Sequence, residues 1–482
     1  MELNREFLIN IIFLVLINIL IKPLYLFGIE ARAHNLVGTE DWGLYFALFN
    51  FIFLFQVVND PGIQNFNSRF IAQDPKKISF HFPRILGSKI LLGLIFIAVT
   101  GAVAYIIGYS YDELKLLGLI AVNFFLATLF IYLRTNISAV GMYRKDSYIS
   151  ALDKMIMVIV LGYIMWLSPL KESFTIYWLV YVQMAAYTIA CLVAFLIIRP
   201  YITNRWLVLS WSYMLKLVKQ SLPFALIILL VAIYLRIDGV MLERLIDDNG
   251  LQAGIYAAGY RFFEAGGMLT YLFGALLLPM FSTMLVRKES IASLTLTSLR
   301  AVLVLSVTIA VVLIVFRHDL MYFLYDDATD YFGEILIYLM LAFMAVSISH
   351  IYGTIMLAKG SLKKLNVIFI LGVILNIILN LWLIPIKGAE GAAIATVGTQ
   401  WLVTIGQIIL VHSQMKLQFD YSLIVKSIVF GFLCAISSIL WHNSSLHWII
   451  SMSLSILFCL GMSLLMGIVD RSMLSLFKKQ DA

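Results

Sequence analysis

Three basic residues stand where a chain of this kind tolerates charge least. Lys22, Arg236 and Arg261 lie within long apolar runs. A Lys or Arg at mid-span costs about 2.5–3.5 kcal/mol, whereas one Leu returns only about 0.3–0.6. Each cation must therefore face water, a partner or a ligand. Lys22 falls about 15 residues into the first apolar run and Arg236 about 17 into the seventh, which is roughly 22–26 Å from the inner end. Arg261 enters the eighth run from the opposite side by about 9 residues, a turn or two from that level. Cations gathered at one depth suit an anion such as phosphate or diphosphate. Lys89 and Arg300, near the inner ends of the third and ninth runs, extend the cationic set. Structural roles are open for the same residues: Lys22 could snorkel to an interface, and Arg261 with Glu264, at i and i+3, could be an ion pair. Arg236 and Asp238, two apart, point to different faces. Asp238, Glu264 and Asp60 are the acidic candidates for ion coupling, because an intramembrane carboxylate can exchange a proton or hold a cation. Asp60-Pro61-Gly62 also reads as a turn, and Asp238 as a partner for Lys22 or Arg261.

The elements that must position these residues follow from composition. The chain has 482 residues, 62% hydrophobic and 13% charged, with a mean hydropathy of +0.97. That charged share is about half the average for soluble domains, which excludes a soluble enzyme and equally a disordered chain. A spanning helix needs about 20 apolar residues. Fourteen stretches qualify, at approximately 7–28, 42–60, 86–108, 115–135, 151–167, 175–197, 219–245, 252–285, 293–316, 331–357, 365–385, 390–411, 421–441 and 447–469. Continuous apolar runs such as 90–104 and 367–375 exclude the alternating pattern of a strand barrel, so the expected fold is an all-α integral membrane protein.

Orientation follows from the Lys/Arg bias of short loops. With the N-terminus inside, 23 basic residues fall in inner loops and tails and 5 in outer loops, which places both termini in the cytoplasm. Lys154 is counted in that inner set. The outer loops carry Asp247, Asp248, Asp326, Asp327 and Asp330, so the net charge of +7 is a topology signal and not one for nucleic acid. Arg5, the apolar run to Ile21 and Ala31-Arg32-Ala33 mimic a secretory signal. Lys22 and Pro23 interrupt it, and the first span is expected to be retained. Cys191, Cys434 and Cys459 sit singly in apolar runs and read as packing residues.

No phosphate-cradling Gly-x4-Gly-Lys-Ser/Thr loop and no His-Glu-x-x-His are present, and the seven His are scattered. No cofactor and no metal centre are expected, and secondary transport rather than catalysis is the natural reading. Between Pro61 and Arg84, Phe66, Phe70, Phe80 and Phe82 alternate with Arg69, Lys76 and Lys77, a mixture suited to a membrane interface.

An internal repeat organises the spans. Gly43-Leu44-Tyr45-Phe46-Ala47 opens the second and Gly254-Ile255-Tyr256-Ala257-Ala258 the eighth, an offset of 211 residues. The same offset superposes span 1 on 7, 3 on 9, 5 on 11 and 6 on 12, and Lys89 on Arg300. Units with an even number of spans repeat in parallel, about an axis along the membrane normal. The expected plan is an N-terminal six-helix bundle (1–200), a second six-helix bundle (201–412) and two further helices with a short tail (413–482), the bundles facing one another across a cavity.

The stretch from Tyr234-Leu235-Arg236-Ile237-Asp238-Gly239 through Ala253-Gly254-Ile255-Tyr256 to Gly259-Tyr260-Arg261-Phe262-Phe263-Glu264 resembles the central signature of bacterial polysaccharide (O-antigen/capsule, Wzx-type) flippases. Gly43-Leu44-Tyr45 and Asn59-Asp60-Pro61-Gly62-Ile63 resemble that family's N-terminal elements, with Pro61 where Leu is usual. Leu383-Ile384-Pro385 with Gly388-Ala389-Glu390-Gly391 resembles a motif of the wider MATE-like superfamily of multidrug, oligosaccharidyl-lipid and polysaccharide exporters. The resemblance implies a MATE-like fold in a bacterial cytoplasmic membrane. It also implies movement of undecaprenyl-diphosphate-linked oligosaccharide from the inner to the outer leaflet, with membrane lipids, H+ or Na+, and polysaccharide polymerase and assembly proteins as partners. A multidrug antiporter and a lipid II flippase are the alternatives. The former would expose acidic rather than basic cavity residues.

Overall fold

The structure, a computed structural model, describes residues 20–63, 78–202 and 206–469. Every element among the described residues is helical. A π-helical segment, Leu24–Glu30, follows Pro23 and runs into α1 (Ala31–Val37). There follow α2 (Thr39–Leu54), α3 (Ile78–Ile107), α4 (Tyr111–Ala139), α5 (Leu152–Gly162) and α6 (Ile176–Ile198). Next come α7 (Trp211–Leu245), α8 (Leu251–Val286), α9 (Ala292–Val315) and α10 (Asp330–Lys359). The last four are α11 (Leu362–Lys387), α12 (Ala389–Met415), α13 (Tyr421–His442) and α14 (Trp448–Leu465).

Twelve of these helical stretches are long and apolar enough to cross a membrane, and they coincide one for one with the third to fourteenth expected spans. The protein is therefore a multi-pass, all-helical membrane protein. The first expected span lies mostly outside the described residues, as do Phe66, Arg69, Phe70, Lys76 and Lys77 of the interfacial stretch. The second corresponds to α2, which breaks at Phe55 and resumes as the single turn Gln56–Asn59.

Local chemistry explains the ends. Ser110 caps α4, accepting from the Glu113 amide while the Glu113 carboxylate accepts from the Ser110 amide, a capping box. Between α11 and α12, Gly388 adopts φ 58° and ψ −132°, a conformation open to glycine. A Cβ on Gly391 would collide with the Leu383 carbonyl oxygen, so α12 packs on the end of α11 at backbone level.

The fifth span begins earlier than expected. Tyr143–Ile149, polar enough to read as loop, is helical and leads into α5, so the span runs Tyr143–Leu167 rather than from 151. Asp146 in this stretch is ion-paired with Arg134 at 2.8 Å, which accommodates its charge. Asp153 and Lys154 consequently lie inside a span. Lys154, counted with the inner loops at the edge of the expected 151–167 span, lies about three turns into the observed one.

By contacts the chain forms two compact units. The first is residues 1–243 with 247–254, and the second is 244–246 with 255–482. This division falls at the end of α7, later than the 200/201 boundary expected from the sequence repeat. In the first unit α6 packs on α4 and α5, and α3 on α4; in the second α12 packs on α10 and α11, and α9 on α10 and α13. The α13–α14 seam buries small residues, Cys434 and Ser438 against Ser451, Ser455 and Cys459, the composition that lets helices approach within lipid. All three cysteines are free and buried.

Gly43 and Gly254, the repeat-mate glycines, meet within the first unit. A Cβ on Gly43 would strike the Gly250 carbonyl and lie 2.6 Å from the Gly254 nitrogen, and one on Gly254 would strike the Thr39 carbonyl. Gly43→Ala is expected to lower stability by about 1–3 kcal/mol through overpacking. Gly101→Ala, with nothing within 4 Å of its Cβ, should be neutral or mildly stabilising. Thermal unfolding of the two detergent-solubilised variants checks this; equal melting temperatures would refute it.

Candidate functional site

The first unit holds Arg236 at a helix crossing. On α7, Gly239 lies one turn beyond Arg236, and a Cβ there would collide with Asn50 and sit 2.7 Å from Phe46. Absence of that carbon lets α7 press against α2 and brings the guanidinium onto the α2 side chains. Arg236 Nη1 donates to Asn50 Oδ1 at 3.4 Å. Its guanidinium carbon lies 4.8 Å from the Phe53 ring centre and 6.0 Å from that of Phe49, within cation–π range. Asn50 is buried, whereas Phe49, Phe53 and Arg236 remain partly accessible. Asp238, two residues on, is buried.

A second cation–aromatic cluster in the same unit was missed by the sequence reading. Lys154 Nζ lies 4.1 Å from the Tyr25 ring centre and 5.7 Å from that of Tyr187. Asp153 and Glu30 are its neighbouring carboxylates. The Tyr25 hydroxyl accepts from Gln183 at 2.9 Å, the Tyr45 hydroxyl from the same amide at 3.3 Å, and Asn123 donates to Gln183 Oε1 at 3.3 Å. Tyr25 lies in the π-helical segment, a distortion common at functional sites. Lys22, two residues before that segment, is exposed and feels the charges of Lys154, Asp153 and Arg134. The overlooked signal was Asp153-Lys154 directly preceding thirteen uncharged residues, 155–167.

Other candidates are ion-paired. Lys89 and Asp60 form one pair at 3.0 Å, with side chains 0% and 8% exposed. Asp60 Oδ1 also accepts from the Gly62 and Ile63 amides at 3.0 and 2.7 Å, which is the turn its sequence suggested. In the second unit Arg261 and Glu264 pair at 3.2 Å, and Arg300 reaches Asp420 at 3.6 Å. Asp420 also caps α13 through the Leu423 amide. Lys89 and Arg300 thus each pair with an aspartate that also orders backbone.

The second unit also contains a cavity of about 890 Å³ between α9, α10, α12 and α13. Leu296, Leu303, Val311, Ile348 and Ile428 line its apolar length, and Lys416 and Asp420 mark a polar end. Its α9 wall, from Ala292 to Val311, spans roughly 28 Å at 1.5 Å per residue.

The helical arrangement defines the class, a membrane protein with a MurJ/MATE-like fold. It is similar to a lipid II flippase, MurJ, in an inward closed conformation, with TM-score 0.72 and 15% identity over 94% of this chain and 98% of that one. An inward-facing MATE multidrug resistance transporter of the MOP superfamily gives TM-score 0.60 and 13% identity over 81% and 94% of the two chains. A MOP superfamily transporter from Pyrococcus furiosus, described as having a binding pocket of reverse polarity, gives 0.56 and 14% over 84% and 94%. No curated protein sequence matches the chain significantly. The sequence profile described as "Polysaccharide biosynthesis protein" matches residues 7–285. The chain belongs to that family.

Proposed function

We propose that this protein is a flippase that carries an undecaprenyl-diphosphate-linked oligosaccharide from the inner to the outer leaflet of a bacterial cytoplasmic membrane by alternating access, with both termini cytoplasmic. The observation that carries this reading is Arg236, a guanidinium held at mid-span on two aromatic rings and an amide oxygen. A guanidinium presents donors in a fork that fits phosphate oxygens, and the sign is wrong for a cationic drug. Family membership supports a substrate in polysaccharide biosynthesis. The long apolar cavity of the second unit supports a lipid-linked one, because its walls suit an isoprenoid chain and its polar end a headgroup. In this reading Lys22 and Arg236 of the first unit attract the diphosphate and sugar, Arg261 is the corresponding cation of the second unit, and Lys89 and Arg300 order the inner ends of their bundles. Asp238 and Glu264 are the carboxylates for coupling to H+ or Na+.

Reconstitution into liposomes with fluorescent undecaprenyl-diphosphate oligosaccharide tests the proposal. Protein-dependent loss of label from one leaflet, quenched by dithionite, is the expected result. Lys22→Ala should slow it. Flipping no faster than in empty liposomes would overturn the reading, and faster movement of lipid II than of other lipid-linked glycans would replace it with the lipid II alternative. Rates unchanged by proton or sodium gradients would remove the coupling role of Asp238 and Glu264.

A further inference from the structure

The Lys154 cluster differs in chemistry from a phosphate site. Its ammonium has two carboxylates for neighbours, Asp153 and Glu30, which offset its charge; the further positive charge beside it is that of Lys22, the group assigned above to the diphosphate. What the cluster offers is a set of faces and edges. Tyr25 and Tyr187 supply ring faces beside the ammonium. Gln183 and Asn123 supply amides locked in orientation, since Gln183 donates to two tyrosine hydroxyls and Asn123 Nδ2 donates to the Val180 carbonyl at 3.0 Å and to Gln183 at 3.3 Å. With both bonds made by Nδ2, the Asn123 oxygen is fixed as an acceptor. That oxygen is buried and has no hydrogen-bond partner among the described residues, although the residue is only 4% exposed. A buried acceptor without a partner costs about 1–3 kcal/mol, which a ligand hydroxyl reaching it would recover. The cluster reaches the surface of its unit at Lys154 and Tyr187, both partly accessible, with exposed Lys22 of the diphosphate set alongside.

We infer that this cluster is a subsite for an uncharged sugar ring of the glycan, distinct from the groups that take the diphosphate. Pyranose rings have apolar C–H faces and hydroxyl edges. A face packs on Tyr187, the accessible ring, while buried Tyr25 backs the ammonium from within. Hydroxyls donate to carboxylate and amide oxygens and accept from the ammonium, which is the inventory of donors and acceptors present. The π-helical turn that carries Tyr25 and the one-turn spacing of Gln183 and Tyr187 on α6 place these groups together. The inference rests on the lipid-linked reading proposed above and adds which residues sense the sugar.

The test compares two probes on the full-length protein in nanodiscs: undecaprenyl diphosphate, and the same lipid carrying one N-acetylglucosamine. Wild type should bind the sugar-bearing lipid about tenfold more tightly, equivalent to about 1.4 kcal/mol. In Lys154→Met and Tyr187→Ala that ratio should fall to near one. Tyr187→Phe, which keeps the ring, should retain most of it and shows that the fold tolerates change at this position. A ratio preserved in Lys154→Met and Tyr187→Ala overturns the inference, and so does a wild-type ratio of one. Loss of affinity for both probes in equal proportion in Lys154→Met would assign Lys154 to the diphosphate instead. Wild type binding neither probe would refute the lipid-linked reading itself, and the subsite with it.

Discussion

Lys89→Met is expected to destabilise the protein by about 3–5 kcal/mol, the range measured when one partner of a buried ion pair is removed. The Lys89 side chain is fully buried and its ammonium lies 3.0 Å from Asp60 Oδ2. Asp60 cannot turn away to find water, because its other oxygen is held by the Gly62 and Ile63 amides. Methionine would therefore leave a fixed carboxylate facing apolar atoms. The double variant Lys89→Met/Asp60→Asn should recover most of the loss, since the asparagine oxygen can still accept from both amides while the charge is gone. Thermal unfolding of the purified variants in detergent reads both effects. A single variant as stable as wild type would show that the pair is dispensable. A double variant worse than Lys89→Met would show that the carboxylate has another partner of greater weight.

This pair marks where sequence reading stops. Features set by near neighbours in the chain were legible: the apolar runs of α3 to α14, the i,i+3 pairing of Arg261 with Glu264, and the Asp60-Pro61-Gly62 turn. Helical periodicity and turn chemistry act over a few residues, so spacing alone reveals them. Lys89 and Asp60 are 29 residues apart, and Arg300 and Asp420 are 120 apart. Nothing in hydropathy specifies which helix face meets which. The repeat offset places Lys89 against Arg300, yet it could not show that each finds an aspartate.

Lys154 was lost for a different reason. Positive charge next to a polar stretch reads as loop, and the inner-loop count of basic residues absorbed it. Helical continuation through Tyr143–Ile149, helped by the Arg134–Asp146 pair, moved the span boundary by two turns and Lys154 with it. The candidate site is thus partly legible. Arg236 was found because it lies far from any boundary, whereas a cation near one needs the fold to place it.

Arg236→Ala is expected to lower flipping of the lipid-linked oligosaccharide by about 100-fold at equal protein levels. Hydrogen bonds to charged groups contribute about 1.5–3 kcal/mol each, and a guanidinium can make two to one phosphate. Loss of two such bonds is of order 3–6 kcal/mol, and each 1.4 kcal/mol is a factor of ten, so 100-fold is the lower end of the expected loss. A purely structural Arg236, clamping α7 to α2 through Asn50 and the Phe53 ring, would behave otherwise: its removal would lower the melting temperature and the yield of folded protein, with the surviving molecules flipping at the wild-type rate. Arg236→Lys separates the two further. Lysine keeps the charge and loses the fork, so a phosphate-binding role gives a loss between wild type and Arg236→Ala that excess undecaprenyl diphosphate reports as weaker competition. The measurement is dithionite-accessible fluorescence in liposomes, normalised to folded transporter. Because Gly239 already lets α7 seat closely on α2 without help from the arginine, little loss of stability is expected in either variant, and the cost should fall on transport.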